Sequence, residues 1–114
     1  FIEDYDAVFA AIPSPNVGLC VDTGHFEGSK VSLDEVADHF AGKINHIHVK
    51  EAAAWGVPKF VRFGEGVTDN NRLVERILAR GYDGFISVEL AIEDKSNLLN
   101  DLRKPYEMFA KYER

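Results

Sequence analysis

Apolar positions recur along this chain in two rhythms that take turns. Ile2, Tyr5, Val8, Phe9 and Ile12 fall at helical spacing, with Glu3, Asp4 and Asp6 gathered at the start, where acids suit a helix N-terminus. They predict a helix over Phe1–Ile12, stopped by Pro13 and Pro15. Val17–Val21 is a short, β-branched apolar run and predicts a buried strand. A polar turn, Asp22-Thr23-Gly24-His25, follows it. Ser32-Leu33-Asp34-Glu35 has the Ser-x-x-Glu form of a capping box. It opens a helix to about Phe40, with Gly42 as C-cap. Ile44–Val49 reads as the second strand. Glu51–Phe63 reads as a longer connection containing Gly56 and Pro58, closed by Gly64-Glu65-Gly66. Asn70–Arg80 is predicted helical, with Leu73, Val74, Ile77 and Leu78 on one face and Gly81 just past its end. Phe85–Leu90 is the third strand. Ser96–Tyr112 is the last helix, with Leu98, Leu99, Leu102, Tyr106, Phe109 and Tyr112 as its apolar stripe. Pro105 lies inside that stripe and predicts a kink or break near Arg103.

The order is therefore α-β-α-β-α-β-α. Strands alternating with helices imply right-handed crossovers and a parallel sheet, an α/β fold. Ligands of such sheets bind beyond the carboxyl ends of the strands, so the chemistry is sought there.

Composition narrows the class. The chain has 114 residues, 46% of them hydrophobic and 28% charged, enough for one small globular domain. Cys20 is the only cysteine, which excludes a disulfide scaffold and favours a reducing, cytoplasmic setting. No apolar run approaches a membrane span. Thirteen basic against 19 acidic residues give a net charge of −6, a poor match for nucleic acid and a good one for a cation. The first residue is Phe1 rather than Met, so a piece of a longer protein is expected.

Each predicted strand ends in residues that carry chemistry. The first ends in Asp22, with His25 three positions on. The second carries His46 and His48 on one face by alternation, followed by Lys50 and Glu51. The third carries Glu89. A buried carboxylate in Ile86-Ser87-Val88-Glu89-Leu90 is costly without a cation, and no Arg or Lys lies on that strand. Asp, His and Glu together form an oxygen-rich ligand set suited to Mn²⁺ first, with Mg²⁺, Co²⁺ or Zn²⁺ as alternatives. Asp22 alone is equally a turn or cap residue. Cys20, in a strand of buried type, is expected to be inert packing. Trp55, Phe60 and Phe63 are loop aromatics that either cap a ligand or cover the fold.

Leu19-Cys20-Val21-Asp22-Thr23-Gly24-His25, His46-Ile47-His48-Val49-Lys50-Glu51, Gly64-Glu65-Gly66 and Ser87-Val88-Glu89 occur in that order. Together they resemble the xylose isomerase-like TIM barrel superfamily, which holds sugar isomerases, ketose 3-epimerases, inosose dehydratases and related AP endonucleases. The resemblance runs from Val17 to the last helix. It implies that Asp22, His48 and Glu89 are metal ligands at the ends of the sixth, seventh and eighth barrel strands. It implies that Glu89 is also one of two acid/base carboxylates, that His25 contacts substrate, and that His46 and Lys50 line the pocket.

The chain also departs from that pattern. The family's further Glu, from the fifth strand, has no counterpart here, and the substrate-binding Arg of the epimerases would fall near Ala54. A TIM barrel needs about 250 residues and eight strands. Three strands make this chain the C-terminal part of a barrel, about strands six to eight, with the helix before them. The expected activity is metal-dependent isomerisation or epimerisation of a sugar or polyol, with little or no turnover by this segment alone. A zinc phosphoesterase of the AP endonuclease kind is the alternative. It uses an Asp-x-His pair after the seventh strand, whereas residues 49–70 contain no His. A non-catalytic assembly unit is the third reading. Three parallel strands leave edges and a face uncovered, so homo-oligomerisation or pairing with the remaining barrel portion is expected.

Overall fold

The computed structural model describes residues 1–90 and 94–113. Its elements are α1 (Ile2–Ala11), β1 (Leu19–Asp22), α2 (Thr23–Gly28), α3 (Leu33–His39), β2 (Ile44–Val49), β3 (Glu51–Ala54), β4 (Val57–Val61), α4 (Asn70–Leu78), β5 (Ile86–Val88) and α5 (Leu98–Phe109). Short 3₁₀ turns, Lys95–Asn97 and Ala110–Tyr112, flank α5. β1, β2 and β5 form a parallel sheet in the order β1-β2-β5. The α/β class and the parallel βα units are as the hydrophobic pattern predicts.

Alternation along the strands separates two faces. Leu19, Val21, Ile47 and Val49 are buried, and with Val36, Ala37, Phe40, Leu73, Val74 and Ile77 of the α3 and α4 segments they form the core. Arg72 and Arg76 of α4 bond Asp34 and Asp38 of α3 through paired guanidinium contacts along the solvent side. Such exposed pairs stabilise modestly, and the packed apolar face holds the two helices together. The other sheet face carries Cys20, Asp22, His46, His48, Ser87 and Glu89, in register across the three strands.

Several local expectations are corrected. Asp22-Thr23-Gly24-His25 is not a free turn but the start of α2, with Asp22 as its N-cap. Ser32 does precede α3, yet its hydroxyl makes no cap hydrogen bond. Residues 51–61 are not an irregular connection. β3 and β4 form an antiparallel hairpin turned at Gly56, whose φ of +72° is the left-handed conformation glycine adopts without strain. The Gly56 N–H donates to Glu27 O at 2.9 Å, which ties the hairpin to α2. β5 is shorter than expected, although the Glu89 N–H continues its ladder to Val49 O at 3.0 Å. α5 runs unbroken through Pro105, which is buried. Much of its apolar stripe is exposed: Leu99 by 81% and Tyr106 by 62%. Cys20 is exposed rather than packed, because it lies on the uncovered sheet face. Among the described residues, no helix is long and apolar enough to cross a membrane.

Candidate metal centre

The carboxyl ends of the three parallel strands bring Asp22, His48 and Glu89 together. Asp22 and His48 are register partners on β1 and β2, and Glu89 follows directly after β5. One ligand atom from each lies within 4.8 Å of the others. Among the described residues this is the one His/Cys/Asp/Glu group so arranged. Asp22 is cap and cluster member at once. Its Oδ1 accepts the His25 N–H at 3.0 Å, while Oδ2 lies 4.0 Å from Lys50 Nζ. His48 Nδ1 sits 3.2 Å from Glu89 Oε2. Metal–ligand bonds of about 2.1 Å place neighbouring ligands about 3 Å apart and opposite ones about 4.2 Å apart. The donor set and its spacing therefore fit a divalent ion after a small contraction.

The carboxylate that needed a cation has found one from another strand. Lys50, one residue past β2, places its Nζ 2.5 Å from Glu89 Oε1. Its side chain is only 7% exposed, while those of His48 and Glu89 are 38% and 42% exposed. The expectation of a buried Glu89 is thus not met, because the sheet face that carries it is uncovered here. The Lys50 ammonium, and then the His48 ring, hold the Glu89 carboxyl below its ordinary pKa, so it stays ionised.

Lys50 is itself held by a buried network. The Thr23 hydroxyl accepts the Lys50 N–H at 2.8 Å and lies 2.6 Å from Asn70 Oδ1. The Asn70 amide donates to Lys50 O at 3.1 Å. With the Thr23 hydroxyl donating to Asn70, each of these buried groups has a partner. α2, the end of β2 and the start of α4 are pinned at one point. Thr23 and Asn70 were not singled out from the sequence, since one looked like a turn residue and the other like an ordinary helix start.

The remaining predicted residues take distinct places. His46 Nε2 is 2.9 Å from Ser87 Oγ, one step down the sheet face from the cluster, and its ring meets that of His48 edge-on at 5.0 Å. His25 is exposed at the rim, its ring 4.8 Å from that of Phe60. The Phe60 ring also lies 4.3 Å under Lys50 Nζ. Phe63 is buried against Phe109, whereas Trp55 is half-exposed at the hairpin turn. Glu51 is buried and clasps the loop after the hairpin, with its carboxylate accepting the N–H groups of Gly64 and Thr68 at 3.2 Å each. Burial raises its pKa against the lowering effect of those hydrogen bonds. Although Cys20 is exposed, partial desolvation by the surrounding sheet, with the charges of Asp22 and Glu89, pushes its thiol up, away from a reactive thiolate.

A sheet with acidic and imidazole groups converging at its carboxyl end is the architecture of a metal-capable segment of a (β/α)₈ barrel. The family described as xylose isomerase-like TIM barrel matches residues 1–112, and the chain belongs to it. Among solved structures, it resembles that of the IolI protein with a binding zinc atom, at a TM-score of 0.75 and 19% identity. That likeness covers 99% of this chain and 44% of the IolI chain, so this chain spans less than half the length of its structural relative. The fold is thus shown to be part of a TIM barrel. A comparison with curated protein sequences gave no significant match.

Proposed function

We propose that this chain supplies the metal-binding end of a sugar or polyol isomerase or epimerase. The observation that carries the reading is the convergence of Asp22, His48 and Glu89 at the strand ends of a xylose isomerase-like barrel segment. These three residues would hold a divalent ion, with Mn²⁺ favoured by the oxygen-rich donors. Zn²⁺ also suits the set and is the ion carried by the IolI relative. Bound there, the ion would polarise a sugar carbonyl and acidify the neighbouring C–H.

The chain's own residues then have defined tasks. Glu89, an ionised carboxylate, removes the proton from the carbon next to the carbonyl on one face. The released electron pair moves onto the carbonyl oxygen. Return of a proton, to the other face or to the neighbouring carbon, needs a second acid/base group. Outside the ligand set, the described strands carry Glu51, whose carboxylate is engaged with the Gly64 and Thr68 N–H groups, so we assign that group to the rest of the barrel. His25, at the rim against Phe60, and Lys50 would contact substrate oxygens, and His46 would position His48. A single cysteine favours a reducing, cytoplasmic setting for the protein.

The test follows proton exchange in ²H₂O by NMR, on a complete barrel carrying this segment and loaded with Mn²⁺. The C–H beside a ketose carbonyl should exchange in the parent and at least about a hundredfold more slowly in Glu89→Gln. Exchange that survives the substitution would remove Glu89 from the chemistry.

A further inference from the structure

Lys50 carries more than its place at the pocket wall requires. Its stem passes over Gly24, where an added Cβ would lie 3.1 Å from both the Lys50 chain and the Phe60 ring. Its backbone is locked on both sides by Thr23 and Asn70. Its ammonium rests over the Phe60 ring at 4.3 Å and bonds Glu89 Oε1, with Asp22 Oδ2 at 4.0 Å. A side chain this enclosed loses rotamer freedom and hydration, which its anionic partners must offset. Those partners are two of the three residues that would hold the metal.

We propose that Lys50 is a built-in competitor of the metal ion: it neutralises Glu89 and Asp22 in the metal-free protein and surrenders Glu89 when the ion enters. The proposal rests on the metal reading above. Without a cation, Asp22 and Glu89 are two carboxylates within 4.8 Å of each other, and they repel. One ammonium between them lowers that cost and keeps both oriented. A divalent ion at the same place would stand within a few ångströms of the ammonium. Like charges at that distance repel strongly in a partly dry site. An ion entering beside Glu89 Oε2, the oxygen that faces His48, thus competes with the ammonium on Oε1 and weakens the Lys50–Glu89 bond. Lys50 sets metal affinity lower than Asp22, His48 and Glu89 alone would give. Once released, the ammonium still lies over the Phe60 ring, where cation–π attraction holds it at the pocket wall. There it is a free donor for a substrate oxygen.

The experiment titrates Mn²⁺ alone, by calorimetry, into the parent, Lys50→Met and Lys50→Arg, and records the melting temperature of each before metal is added. Lys50→Met should bind Mn²⁺ at least about tenfold more tightly than the parent and melt lower without metal. Lys50→Arg, which keeps the charge, should stay near the parent in affinity. Where Lys50→Met fails to fold, Lys50→Gln takes its place, since its amide is polar and carries no charge. Mn²⁺ binding by the parent with equal or weaker binding by the neutral variant would overturn the competitor role alone. Failure of the parent and both variants to bind Mn²⁺ would overturn the metal reading together with it.

Discussion

At the scale of single residues, two carboxylates in the same region meet opposite electrostatic fates. Glu89 is held ionised by an ammonium and an imidazole, and its carboxyl titrates low. Glu51 is nearly enclosed, with backbone N–H donors on its carboxylate and the Lys104 charge nearby, and burial still pushes its carboxyl up from its ordinary value. A carboxyl that binds its proton more tightly in the folded chain than in the unfolded one makes stability fall as pH rises through the interval between those two values. Glu51→Gln removes that slope while keeping one acceptor for Gly64 or Thr68. Denaturant unfolding from pH 4 to pH 7 should show the variant gaining on the parent as pH rises, and a constant difference would contradict the assignment. The convergence of Asp22, His48 and Glu89 was legible because strand alternation and the Asp-Thr-Gly-His and His-x-His strings are local patterns. The Lys50–Glu89 bond was not legible, since it joins the ends of strands 39 positions apart. The search for a cation on Glu89's own strand looked in the wrong element.

At the scale of elements, helices and strands with strong periodicity were read well and the hairpin was not. α4 and β2 carry regular apolar stripes and appear close to their expected bounds. Glu51–Ala54 has three alanines in place of β-branched residues, and β4 contains Pro58, so neither advertises a strand. They pair with each other and rest on α2, which positions Phe60 beneath Lys50. Thr23 joins these pieces. In Thr23→Val, the Lys50 N–H and Asn70 Oδ1 lose a buried partner, a change that costs about 1–3 kcal/mol. The unfolding midpoint in urea should fall accordingly, with the slope unchanged. A midpoint equal to that of the parent would show that water or another group replaces the hydroxyl.

At the scale of the whole molecule, the described residues cover the sheet on one face only. Phe85 is 82% and Leu99 81% exposed. A groove of about 540 Å³ runs between β5 and α5, lined by Phe85, Ile86, Val88, Tyr106 and Phe109. An unpaired strand edge beside exposed apolar side chains invites association. The sequence pattern identified the α5 stripe but could not tell that Leu98, Leu99, Leu102 and Tyr106 stay exposed among the described residues while Phe109 and Tyr112 pack against the core. The same opening exposes Cys20, which strand periodicity alone reads as core. Sedimentation velocity should find the isolated chain in species heavier than 12.8 kDa, and Leu99→Glu should shift it toward the monomer. A stable monomer with a cooperative melt would contradict the assembly expectation.

The central claim is that these strand ends hold one divalent ion through Asp22, His48 and Glu89. Calorimetric titration of Mn²⁺ into the parent and into His48→Ala tests it most directly. One ion per chain in the parent, with binding lost or weakened at least about a hundredfold in the variant, is the predicted result. Equal binding by the two proteins, or none by either, would contradict it.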